Sequence, residues 1–174
     1  MMSKQLIIVR HAEAELPNAV QKDFDRHLNT TGFADASRMG KHLASKQLNG
    51  KLLRIDSVLS SPAYRALTTA QLMCEQLGFD IERIVPNEDI YESSVRNLML
   101  LINGLDEQHT TIMIVGHNPN LSYLAEMLTR EEIGSMPTCG VAAITFEDQS
   151  WSGVSGGGGK LAWFNYPDNL NIQP

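Results

Sequence analysis

Cysteine is scarce in this chain: Cys74 and Cys139 are the only two among 174 residues. Two thiols make no disulfide framework and their spacing matches no zinc site, so both are expected to be reduced and buried. Excess basic charge is also missing. The 14 Lys and Arg stand against 20 Asp and Glu, a formal charge of -6, which argues against a nucleic-acid partner without excluding a local basic pocket. No apolar run approaches the roughly 20 residues of a bilayer-crossing helix, so no membrane partner is expected. The start Met1-Met2-Ser3-Lys4-Gln5 runs straight into a strand-like segment with no signal-peptide cleavage pattern, and the cytoplasm is the expected compartment. There is no internal repeat. The His-x-His and His-Glu-x-x-His ligand spacings are absent, so neither metal nor cofactor is expected. The length suits one domain over 1–174, and nothing in it sets an oligomeric state.

What is present is an alternation of short apolar runs with stretches of helical period, which predicts an α/β layered sheet. Strands are expected at Gln5–Arg10, Ile55–Ser60, Arg83–Val85, Thr111–Val115, Gly140–Phe146 and Leu161–Tyr166. Residues 12–29 have no clear period and read as a long surface loop. A helix starting at Thr30 or Thr31 would bury Phe33, Ala36, Met39, Gly40 and Leu43, with Gly50 beyond its end. A second helix takes Ser61 as its cap and Pro62 at its first position. A third is capped by Ser93 or Ser94, and a fourth by Asn118 with Pro119 first. The run Gly156–Gly159 reads as the flexible turn of a late antiparallel pair.

Chemistry-bearing residues gather at strand ends. Arg10-His11 closes the run Leu6-Ile7-Ile8-Val9, and His117 closes Ile112-Met113-Ile114-Val115-Gly116. Arg65 follows Ser60-Ser61-Pro62-Ala63-Tyr64, where a strand gives way to a helix. Ligands of open α/β sheets bind beyond the carboxyl ends of the strands, so these distant residues can converge there. Helix N-termini at the same rim favour an anion.

In this order, Arg10-His11, the SSPxxR segment with Arg65 and the Gly116-His117-Asn118-Pro119 phrase resemble the histidine phosphatase superfamily. The short length and Asp25-Arg26-His27-Leu28-Asn29 with Gly32 look most like its small phosphohistidine phosphatase (SixA-like) branch. The resemblance runs from about residue 4 to 166. It implies a three-layer αβα sandwich of the phosphoglycerate mutase-like type, with about six mostly parallel strands. It also implies a nucleophile at His11, phosphate clamps at Arg10 and Arg65, and a phosphoryl-oxygen donor at His117. Guanidinium forks suit phosphate oxygens, and phosphoryl transfer is mainly positioning and electrostatics. Arg26 is a candidate auxiliary cation, and Asn118 a helix cap that borders the pocket. Larger members of the family carry an acid after the third strand; Glu92 falls in about that region, beside Glu88 and Asp89, as a candidate general acid. Ala12 replaces a commoner glycine, and Glu13 and Glu15 replace a neutral tail.

The expected activity is therefore a metal-independent phosphatase acting through phosphohistidine on His11. The expected substrate is a phosphohistidine on a protein such as a phosphorelay domain. A small phosphoester is the alternative, and a non-catalytic phosphate-binding module or a metallohydrolase stands further off. Ser60 is a candidate for the pocket floor. His27, His42 and His109 are expected to face solvent.

Overall fold

The computed structural model describes residues 3–172. Strand β1 (Lys4–Arg10) passes through loop 12–29 into helix α1 (Thr30–Ser45). A hairpin of β2 (Gln47–Leu48) and β3 (Lys51–Leu52) precedes β4 (Ser57–Ser60) and α2 (Tyr64–Leu77). Then come β5 (Val85–Pro86), α3 (Val95–Asn103), β6 (Thr111–Gly116), α4 (Asn120–Thr129), β7 (Val141–Phe146) and β8 (Lys160–Asn165). One six-stranded sheet has the order β5-β4-β6-β1-β7-β8. Strands β5, β4, β6 and β1 pair in parallel, and β7 is antiparallel to both of its neighbours. This is the α/β layered sheet expected from the alternation, with the mostly parallel strands that the family resemblance implies.

Period-two alternation splits the core into two layers. Ile7 and Val9 of β1, with Met113 and Val115 of β6, pack under α1 and α2 beside Ala36, Met39, Leu43, Ala66, Ala70 and Met73. Leu6 and Ile8, with Ile112 and Ile114, pack on the other face against Leu98, Ile102, Leu121, Leu124 and Leu128 of α3 and α4. Because β1 and β6 are covered on both sides, every residue of Leu6–Val9 and Thr111–Gly116 is buried. Both cysteines are buried free thiols.

Several local expectations are corrected. Phe33 lies outside the buried face of α1, at 47% exposure, and Gly32 is buried in its stead. Gly50 does not close that helix. Asn49 and Gly50, both at positive φ, form the two-residue turn between β2 and β3, the usual chemistry of an Asn-Gly hairpin. The short fifth strand is Val85–Pro86 rather than Arg83–Val85. Helix α2 begins at Tyr64 with Ala63 at the cap position, and α4 at Asn120 with Pro119 there. Ser61 lies two residues ahead of the α2 cap position and its hydroxyl oxygen accepts from the Ala63 amide at 3.2 Å, whereas the Asn118 oxygen accepts from Ser122 Oγ instead of a helix amide. Ser94 does cap α3, accepting from the Asn97 amide at 3.1 Å.

The glycine run is ordered rather than a free turn. The amides of Gly157 and Gly159 donate to the carbonyls of Met127 and Leu128 at the end of α4, at 2.9 and 3.0 Å. A β-carbon on Gly159 would lie 2.6 Å from Ile144, so close approach selects glycine there.

Candidate active site

Strand register brings the two histidines together. Arg10 on β1 lies beside Gly116 on β6, so the next residue of each strand, His11 and His117, stands on the same rim with ring centroids 5.2 Å apart. Strand β4 flanks β6 on its other side, with Ser60 beside Val115. That pairing delivers Ser61 and the first turn of α2, with Arg65, to the same rim. Arg10, His11, Arg65 and His117 share a cavity of about 440 Å³ with Glu13, Ala14, Asp23, Arg26, Tyr91, Glu92, Asn118 and Thr138.

His11 is held at its backbone and at its ring. Its amide donates to the Gly116 carbonyl at 2.9 Å, and its carbonyl accepts from the Cys139 amide at 3.0 Å. Nδ1 lies 2.7 Å from the Ala12 carbonyl oxygen. A carbonyl only accepts, so Nδ1 carries the proton and Nε2 keeps its lone pair. Burial, opposed by that hydrogen bond and reinforced by Arg65, Arg10 and Arg26, lowers the ring pKa to about 4. The imidazole is therefore neutral at pH 7, the state a nucleophile requires. Ala12 is itself fixed, its amide donating to Thr69 Oγ1 at 2.9 Å. It is not among the positive-φ residues, so the backbone there does not require glycine.

Arg10 and Arg65 are each anchored through their outer nitrogens. Arg10 Nη1 donates to the Met136 carbonyl at 2.8 Å. Arg65 Nη1 and Nη2 donate to the backbone oxygen and to Oδ2 of Asp23, at 2.6 and 2.8 Å. Among the described residues, four buried side-chain nitrogen or oxygen atoms lack a hydrogen-bond partner: Arg10 Nε, Arg65 Nε, His117 Nδ1 and Trp163 Nε1. Three of the four belong to side chains lining this one cavity. A buried polar group without a partner costs about 1–3 kcal/mol, so their concentration here marks a place built for an acceptor. A phosphoryl group, with several anionic oxygens, is the acceptor that two guanidinium groups suit best.

Asp23, which the sequence reading missed, organises the rim. It sits in a 3-10 turn, Asp23–Asp25, within loop 12–29. Besides Arg65, its carboxylate accepts from Arg26 Nε and Nη2 at 3.0 and 2.9 Å and from the Tyr91 hydroxyl at 3.3 Å. Those bonds, set against partial burial, hold its carboxyl below the usual range. Arg26 lines the cavity, with its Nη1 spent on the Glu15 carbonyl. Asp23 precedes Arg26 by three residues, an acid-base spacing that carries no weight in a segment without helical period.

The remaining sequence candidates divide. Asn118 borders the cavity but does not cap. Its amide donates to the Met136 carbonyl at 2.9 Å, and its oxygen accepts from Ser122 Oγ, so it steadies the carbonyl that also holds Arg10. Glu92 lines the cavity wall from a left-handed backbone, φ 49. Ser60 does not line the cavity; its hydroxyl donates to the Ser61 carbonyl. His27 is exposed and stacks on Tyr64. His42 and His109 are half-buried rather than solvent-facing, and His42 Nε2 lies 3.2 Å from Asn165 Oδ1. No helix among the described residues is long and apolar enough to cross a membrane.

A two-histidine, two-arginine rim on this sheet defines a class. The sequence pattern of the histidine phosphatase superfamily (branch 1) matches residues 6–98, and the chain belongs to that family. More particularly, it is similar to phosphohistidine phosphatase SixA of Escherichia coli, 28% identical over 97% of both chains. An uncharacterized chloroplastic protein of Arabidopsis thaliana is 32% identical over 97% of this chain and 80% of that one. The fold matches the solved structure of the protein histidine phosphatase SixA complexed with tungstate, with a TM-score of 0.78 and 25% identity. That match covers 95% of this chain and 99% of the other. The protein is thus a SixA-like phosphatase of the superfamily.

Proposed function

We propose that residues 1–174 form one phosphatase domain that removes phosphate from phosphohistidine on a partner protein, such as a phosphorelay domain, through a phosphohistidine of its own at His11. One observation carries this reading: a neutral His11, its Nε2 lone pair free, shares a cavity with two arginines whose buried Nε groups lack partners. In the first step His11 Nε2 bonds to phosphorus while the substrate's N–P bond breaks, and the departing imidazole leaves with a proton. Arg10 and Arg65 hold the phosphoryl oxygens, His117 donates to them, and Arg26 adds positive charge at the rim. The proton stays on Nδ1, donated to the Ala12 carbonyl, so the phosphorylated ring is cationic and remains a good leaving group. Water then bonds to phosphorus, the His11 N–P bond breaks, and the neutral ring returns. No step draws on a metal, and arginines flanking the histidines would repel a cation.

Phosphohistidine is favoured over an ester because a protonated phosphoimidazole departs without the strong acid that an alkoxide requires. The name of the E. coli relative supports the same choice. A second reading, a small phosphoester, draws on Glu92, whose place on the cavity wall suits a proton donor. The test compares turnover of a phosphohistidine-bearing phosphorelay domain with a panel of phosphoesters, in EDTA. The phosphoprotein is expected to be the better substrate, and His11→Ala to abolish both activities. Glu92→Gln should leave phosphohistidine turnover intact. Turnover surviving in His11→Ala would overturn the nucleophile, and a preference for esters that collapses in Glu92→Gln would select the second reading.

A further inference from the structure

His117 raises a question its position alone does not answer: which of its ring nitrogens carries the hydrogen. Nε2 lies 2.7 Å from Ser61 Oγ, and Nδ1 is buried without a partner. Burial, with like charge from His11 and Arg65, lowers the ring pKa to about 3, so at neutral pH there is one N–H to place. Ser61 is fully buried, and its hydroxyl oxygen already accepts from the Ala63 amide at 3.2 Å.

Two assignments exist, and counting partners separates them. If Nε2–H donated to Ser61, the serine hydrogen would have no acceptor among the described contacts and the Nδ1 lone pair would face none of its own. Two buried polar groups would then be stranded, and a lone pair would stand among groups that gather an anion. If Ser61 donates to Nε2 instead, the serine is fully used and only an Nδ1–H remains. That group is the one a phosphoryl oxygen would accept from.

We infer that Ser61 is a positioning residue: its hydroxyl donates to His117 Nε2 and thereby holds His117 as the Nδ1–H tautomer, the form that can donate to a phosphoryl oxygen. This rests on the proposed role of His117.

The experiment is long-range proton–nitrogen correlation NMR of the 15N-labelled, substrate-free protein, with the His117 signals identified by their loss in His117→Gln. Protonated Nδ1 and unprotonated Nε2 are expected for His117. A protonated Nε2 would overturn the inference. In Ser61→Ala the tautomer should shift toward Nε2–H, and kcat should fall about tenfold with KM changed by less than about twofold. Ser61→Cys keeps the side-chain volume with a weaker donor, and should give an intermediate shift if the alanine variant folds poorly. An unchanged His117 tautomer in both variants would also overturn it. The tautomer is read without any substrate, so its outcome is independent of whether the phosphohistidine reading survives.

Discussion

Asp23→Ala strips one carboxylate from the rim and leaves the backbone path of loop 12–29 intact. Arg65 would keep its bond to the residue-23 carbonyl but lose the 2.8 Å contact to Oδ2. Arg26 would lose the acceptor of both Nε and Nη2. A charge-assisted hydrogen bond contributes roughly 1.5–3 kcal/mol. The Arg65 side chain is 6% exposed but that of Asp23 is 55% exposed, so screening takes the figure to the lower end, about 1.5 kcal/mol. If that energy orients Arg65 for the phosphoryl group, kcat should fall about tenfold. Asp23→Asn keeps an oxygen acceptor and removes the negative charge beside the phosphate, so its kcat should stay within about threefold while KM falls. Steady-state kinetics on the best substrate, with circular dichroism to confirm the fold, measures both. An alanine variant with wild-type kcat would refute the claim that Asp23 sets the clamp.

Acid stability gives a second expectation. The folded pKa values of about 4 for His11 and 3 for His117 lie below the ordinary 6.5, so between those values the unfolded chain binds protons that the folded chain does not. Stability is then full above about pH 6.5 and declines as pH falls, with a cost on the order of 2–3 kcal/mol per ring near pH 4.5. Urea titrations at pH 7.5 and 4.5 should show this loss, and His11→Asn should show less of it; an identical loss in the variant would count against the assignment. Gly32→Ala is expected to cost about 1–3 kcal/mol, because its β-carbon would lie 2.0 Å from the Glu13 carbonyl. A melting temperature within a degree of wild type would show that loop 12–29 yields more easily than this packing implies.

Much of the architecture was legible because burial writes itself into composition. Leu6–Val9 and Ile112–Val115 are continuous apolar runs because β1 and β6 lie between two helical layers. The main errors arose where a side chain had two local options and a distant partner chose between them. Asn118 has the residue type and spacing of a cap, yet its oxygen accepts from Ser122 and its amide donates to Met136, 18 residues away in sequence. Phe33 fits a helical stripe, but the close approach of loop 12–29 to Gly32 turns the buried face by one residue.

The residues alone determined the α/β alternation, the candidacy of His11, Arg10, Arg65 and His117, and the family they resemble, since each is a local pattern of burial and type. Tertiary structure alone decided that Arg10 and Gly116 share a register, so that the two histidines meet. It alone decided that Asp23 ties Arg65 to Arg26 and that Ser61 Oγ meets His117 Nε2 across the rim. Hydrogen bonds across the rim join residues that the chain separates widely, and no pattern read along the chain encodes their distance.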